Sequence, residues 1–209
     1  MVAAGDAAVT DVDPSLEARL DALCADGREI WQRFDDVFRQ RHFHPFVPAD
    51  YGVARKLLSS LQVPGRRFLE WGSATGIITI MADMMGFDAY GIEIDAALVA
   101  TARDVAQRHH SNARFVAGSF LPTGYRYRPR DGDGRTGTIA DGPSGYLALG
   151  LALEDFDVVF GYPWSGEEAV MLDVMQKYGR ANALLLLYDS DNSLRVYERG
   201  RMTVLRMSA

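Results

Sequence analysis

Residues 67–95, RFLEWGSATGIITIMADMMGFDAYGIEID, decide how this chain folds. Phe68 and Leu69 open a short apolar strand that ends on an acid, Glu70. The small-residue turn Gly72, Ser73, Ala74, Thr75 and Gly76 follows, and it runs directly into a helical pattern. There Ile77, Ile80, Met81 and Met84 fall at i, i+3, i+4 and i+7, one face of a helix. Gly86 ends that helix, and residues 89–92 form a second strand closing on Glu93. The unit reads strand, tight turn, helix, strand, and its glycines let a ligand come close to the backbone.

Spacing narrows the ligand. The dinucleotide fingerprint GxGxxG, laid on Gly72, meets Ala74 and Ile77 where glycines are required. The phosphate loop GxxxxGK[ST] fails because no lysine follows Gly76. Against the pattern E/DxGxGxG the chain reads Glu70, Gly72, Ala74 and Gly76, with one glycine exchanged for the next smallest residue. Here the sequence resembles the class I S-adenosylmethionine-dependent methyltransferases. The resemblance covers about residues 65–206 and implies a doubly wound, Rossmann-like α/β fold. That sheet would be mostly parallel with an antiparallel C-terminal edge.

The rest of the chain sets bounds on this reading. With 209 residues, 48% of them hydrophobic, it can bury one good core. A net charge of −6 disfavours a protein that relies on phosphate attraction, so a nucleic-acid partner is not expected. No apolar run approaches the roughly 20 residues of a membrane span, and the acidic start MVAAGDAAVTDVDP is not a secretory signal. A lone cysteine, Cys24, fits a reducing cytoplasm and core packing rather than catalysis.

Taken in order, residues 1–13 read as a flexible tail and residues 14–64 as a helical cap. Residues 65–209 read as the binding domain, with an insert at 122–150. A helix is expected from Pro14 to Arg41, with stripes Leu16, Leu20, Leu23 and then Ile30, Phe34, Val37, Phe38 on either side of Gly27. A second helix is expected over 49–61, leading into the first strand. His42 and His44 lie two apart without nearby third and fourth ligands, so no metal is expected. A helix over 96–109 and a strand over 113–117 follow. The insert carries seven glycines, three prolines and Arg126, Arg128, Arg130 and Arg135, and reads either as a surface loop or as a lid. Strands over 156–160 and 183–188 flank a helix over 167–178. The five residues DSDNS then link to LRVYER and MTVLRM, which must run antiparallel because so short a link permits nothing else. The family places a helix at that link, so this edge departs from it.

In an open parallel sheet, ligands bind beyond the carboxyl ends of the strands. Four strand ends should therefore converge: Glu70 to Gly72, Glu93 and Ile94, Ser119 and Phe120, and Gly161 to Trp164. The resemblance implies that the turn from Gly72 through Ser73 and Ala74 to Gly76 carries the methionine part of the cofactor, with Glu70 favouring its ammonium. It implies that Glu93, 23 residues after Glu70, accepts the ribose hydroxyls. Ser119 stands where the family often has an aspartate that meets the adenine amino group, and Phe120 beside it is placed either on the adenine face or in ordinary core packing. Tyr51, at the head of the second helix, is placed either at the cofactor mouth or in plain packing.

Gly161, Tyr162, Pro163 and Trp164 occupy the position of the [DNS]PP[YFW] segment of nitrogen-directed methyltransferases. The side-chain acceptor before the proline is missing. Tyr162 and Trp164 remain as aromatic walls with Pro163 between them, a setting that favours cations. Methyl transfer needs placement and exclusion of water more than acid–base help, so Tyr162, His44 and Glu167 are candidates only if a base is needed. The expected activity is methyl transfer to N or O of a small molecule, and a homodimer is compatible with it. Two rivals stand beside it: a non-catalytic cofactor-binding module, and aminopropyl transfer. The latter wants an acidic pair at the end of strand four, which Tyr162-Pro163 does not supply.

Overall fold

The computed structural model describes residues 15–38, 47–61, 65–126, 138–139, 142–164, 166–189, 191–198 and 200–203. A seven-stranded sheet in the order β3-β2-β1-β4-β5-β6-β7 forms its centre. The strands are β1 (Arg67–Trp71), β2 (Asp88–Glu93), β3 (Arg114–Ala117), β4 (Val158–Gly161), β5 (Leu184–Tyr188), β6 (Leu194–Glu198) and β7 (Arg201–Thr203). The first five pair in parallel, while β6 and β7 are antiparallel additions. This is the Rossmann-like, mostly parallel sheet with an antiparallel C-terminal edge that the sequence predicts.

Among the described residues, six α-helices accompany the sheet: α1 (Leu16–Phe38), α2 (Tyr51–Ser60), α3 (Ile77–Met84), α4 (Ala96–Arg108), α5 (Gly145–Leu149) and α6 (Glu168–Tyr178). Alternation along β1 divides the core into two layers. Phe68 joins one buried cluster with residues of α1, α2, α3 and α4, while Leu69 and Trp71 join another with α5 and α6. Burying a side chain of this size contributes roughly 1.5–3 kcal/mol, so a one-residue slip of β1 would exchange both sets at once.

The first helix runs unbroken through Gly27, as its single expected span implies. A Cβ there would lie 2.8 Å from Ile77 and 3.0 Å from Tyr51, so the glycine is a contact point between α1, α2 and α3. Two local outcomes differ from what the sequence suggests. The second helix begins at Tyr51 because Asp50 caps it, its Oδ1 accepting from the N–H groups of Gly52 and Val53 at 2.7 and 3.0 Å. The insert is not without regular structure at its end. Ser144 bridges to Ser119, and the short α5 follows, with Tyr146 buried in the second core layer. Residues 127–137 lie outside the described set, and with them Arg128, Arg130 and Arg135. No described helix is long and apolar enough to cross a membrane.

Candidate active site

Strand order reverses at β1, which has β2 on one side and β4 on the other, so a crevice opens beyond their carboxyl ends. A cavity of about 830 Å³ occupies it. Most of the residues singled out from the sequence line this one space. Tyr51, Glu70, Gly72, Ser73 and Ala74 form one part of the wall. Glu93, Ile94, Ser119 and Phe120 form a second, and Tyr162, Pro163 and Trp164 a third.

The geometry of the turn after β1 follows from its residues. Gly72 and Gly76 adopt φ of 70° and 79°, and Ala74 is forced to φ 45°, a region that L-residues avoid. At Gly76 a Cβ would lie 2.6 Å from the Phe115 ring and 2.9 Å from Ala102. Gly76 is therefore a packing residue that seats the start of α3, and it is absent from the cavity wall. At Gly72 the space a Cβ would fill belongs to Thr138, whose Cγ2 is 2.6 Å from that point. The insert covers this glycine, where the sequence suggested bare backbone open to a ligand.

Glu70 and Glu93 are two of the acids that line the cavity. Glu70 is 6% exposed, and its Oε2 accepts from the backbone N–H of Thr79 at 2.9 Å and from the Thr79 hydroxyl. Burial pushes its carboxyl up to about 8, against the two bonds from Thr79 and with the help of the nearby Glu93 charge. Glu93 accepts from Ala74 N at 2.9 Å on Oε2 and from Asp95 N at 3.0 Å on Oε1, so the second strand end braces the glycine turn. Burial also raises its carboxyl above the ordinary range, opposed by those backbone N–H groups. Ser73 Oγ, buried in the same wall, has no hydrogen-bond partner among the described residues.

Below them Phe120 stacks on Trp71 with centroids 4.8 Å apart, and the Trp71 indole N–H donates to the Tyr146 hydroxyl at 2.9 Å. The end of the insert is thus tied to the floor of the crevice. Ser119 Oγ already accepts from Leu121 N at 3.2 Å.

At the other end, the Tyr162 ring meets Tyr188 edge-on, centroids 5.0 Å apart, and its hydroxyl bonds to none of the described residues. Burial, then Tyr188 and Asp189, push that phenol up, which makes it a donor rather than a base at neutral pH. Glu167 has a different task from the one considered. Its Oε1 accepts from Ile139 N at 3.0 Å and its Oε2 from Trp164 N at 2.8 Å, so it clips the insert to the aromatic segment. It is not on the cavity wall. Neither is Gly161, where a Cβ would lie 3.1 Å from the Met171 sulfur. His44 lies outside the described residues. No cluster of metal-ligating side chains occurs among the described residues.

The wall also includes residues not expected there from the sequence, among them Thr138, Glu168, Asp189 and Arg195. The signal available for Asp189 was its place at the carboxyl end of strand five, as Glu93 closes strand two.

No protein-family model and no curated protein matches the chain. Solved structures do. An RNA methyltransferase from Salinibacter ruber in complex with S-adenosyl-L-homocysteine superposes with TM-score 0.50 at 19% identity, covering 69% of this chain and 79% of that one. The class I methyltransferase fold is this chain's fold. Similar at a lower level is a methyltransferase from Thiobacillus denitrificans, with TM-score 0.46, 18% identity, and 74% and 53% of the two chains covered. A precorrin-6y C5,15-methyltransferase from Geobacter metallireducens gives TM-score 0.44, 14% identity, and 65% and 59% coverage. The chain thus spans little more than half the length of these last two.

Proposed function

We propose that this chain is an S-adenosylmethionine-dependent methyltransferase acting on a small molecule. The observation that carries the reading is one cavity, at the strand-order reversal, that holds Glu70, the Gly72–Ala74 turn and Glu93 together. The Salinibacter ruber protein of like fold is described with S-adenosyl-L-homocysteine, which supports the same choice of cofactor. The residues present fit such a molecule. Ser73 Oγ is a buried hydroxyl in the wall without a partner among the described residues, and the Glu93 carboxylate, oriented by the N–H groups of Ala74 and Asp95, lines the same wall. The volume of about 830 Å³ lies within the 300–1,000 Å³ usual for ligand pockets.

When bound, S-adenosylmethionine would supply an electrophilic methyl group on a sulfonium. The chain's own residues have three tasks. Glu93 would accept ribose hydroxyls, and Ser73 with the turn would hold the polar end near Glu70. Tyr162 and Trp164 would hold the acceptor against the cationic centre and keep water out. Of the base candidates, Tyr162 is a donor at neutral pH and Glu167 is held by two backbone N–H groups, so neither is placed to take the acceptor's proton.

Titration calorimetry with S-adenosylmethionine and S-adenosylhomocysteine tests this. Binding in the micromolar range is expected, and Glu93→Ala should weaken it by roughly 10–100-fold, the loss expected for a charged hydrogen-bond acceptor. Absence of binding at millimolar concentration would overturn the proposal.

Aminopropyl transfer gains one supporting observation, since Glu168 and Asp189 place two acids beside the end of β4. The coproduct separates the two reactions: S-adenosylhomocysteine for methyl transfer, methylthioadenosine for aminopropyl transfer.

A further inference from the structure

Past the cofactor end, the cavity continues to Tyr162, Trp164, Glu168, Asp189 and Arg195. The short link after β5 makes this arrangement. With only residues 189–193 between them, β6 must fold back beside β5, and the pairing sets Arg195 across from Leu187 at the carboxyl edge. Arg195 and Tyr197 then share one face of β6 and meet Glu168 at the start of α6.

Arg195 is the one cationic side chain among the described residues that line the cavity, and it is already engaged. Its Nη1 donates to Glu168 Oε1 at 2.6 Å and its Nη2 to Asp189 Oδ2 at 2.9 Å. The remaining Nε has no partner among the described residues but is buried, so an anionic ligand would have to displace a carboxylate from that fork and then lie beside both acids. A cation meets the opposite situation. Glu168 Oε1 takes two donors, from Arg195 and from the Tyr197 hydroxyl at 2.6 Å, while Oε2 accepts from none of the described residues. Among the described residues of this wall, the Glu168 carboxylate thus keeps one oxygen open toward the cavity beside a guanidinium that is already shared. Trp164, 36% exposed, and the half-buried Tyr162 add aromatic faces that attract cations.

We propose that the acceptor end of the cavity binds a cationic amine, its ammonium group received by Glu168 Oε2 and flanked by the rings of Tyr162 and Trp164. The proposal rests on the reading of this cavity as a methyltransferase site. An ammonium nitrogen has no lone pair, so this group is a handle, and the methylated atom lies elsewhere in the same molecule.

The test is a charge series on one scaffold: phenethylamine, phenylethanol and phenylpropionate, titrated calorimetrically into the chain with and without S-adenosylhomocysteine. The amine should bind at least about tenfold tighter than the carboxylate. Glu168→Gln keeps the shape and an oxygen for Arg195, and it should abolish the preference. Trp164→Ala should weaken the amine severalfold, with melting curves as the control for folding. Equal or tighter binding of the carboxylate, or a preference that survives Glu168→Gln, overturns the proposal. Should Glu168→Gln fail to fold, the wild-type series and Trp164→Ala decide. If S-adenosylhomocysteine does not bind but the amine preference persists, methyl transfer falls and the cation site stands. If it binds and no preference is seen, this inference alone falls.

Discussion

Glu70 makes the stability of this protein depend on pH in a direction opposite to most carboxylates. Its side chain is 6% exposed, and burial raises its carboxyl from 4.5 to about 8. A group whose folded pKa lies above its unfolded value binds more protons in the folded chain throughout the interval between the two. Stability from this group is therefore full below about pH 4.5 and is lost as pH rises toward 8. Each pH unit in that window removes about 1.4 kcal/mol, so roughly 3–5 kcal/mol disappears between pH 5 and pH 8. The isosteric Glu70→Gln removes the titration while its amide oxygen still accepts from Thr79. Urea unfolding of both proteins at each pH isolates the term, because every other carboxylate is common to the pair. The variant should be the less pH-dependent, and the two curves should diverge steadily above pH 5. Parallel curves would refute the argument, since they would mean that Glu70 is ionised in both states across the range. A bound cation near Glu70 should lower its pKa again, so uptake of the cofactor at pH 7 is expected to release a proton. That release appears as a dependence of calorimetric enthalpy on the buffer.

Three further outcomes follow from single contacts. Ala74→Gly relieves a residue held at φ 45°, an αL cost of roughly 1–2 kcal/mol, against roughly 0.5–1 kcal/mol of added chain entropy. Stability should rise by about 0.5–1 kcal/mol, read as a melting temperature some 1–4 °C higher; a lower value would contradict the strain. Tyr146→Phe strips the Trp71 indole N–H of its buried acceptor at 2.9 Å, and denaturant unfolding should show a loss of roughly 1–3 kcal/mol. Glu167→Gln keeps one acceptor oxygen and leaves either Ile139 N or Trp164 N facing an NH2 group, so the insert should be cleaved faster by protease while α6 remains protected from amide exchange.

The sequence alone determined the strand–turn–helix–strand unit, because each of its signals is local. The short apolar run of β1 ending on Glu70, the i, i+3, i+4, i+7 stripe of α3 and the glycines of the turn between them act within a few residues of one another. The antiparallel edge was legible for the same reason, since five residues cannot carry a parallel crossover. Tertiary structure decided what long-range pairing controls. It set Thr138 over Gly72, gave Glu167 to the backbone of two distant segments, and turned Gly27 and Gly76 into points of close packing. It also brought Glu168, Asp189 and Arg195 to one cavity wall, because β6 pairs with β5 and α6 begins beside that edge. A side chain's partners across the sheet depend on register and crossing geometry, and no short window of residues encodes either.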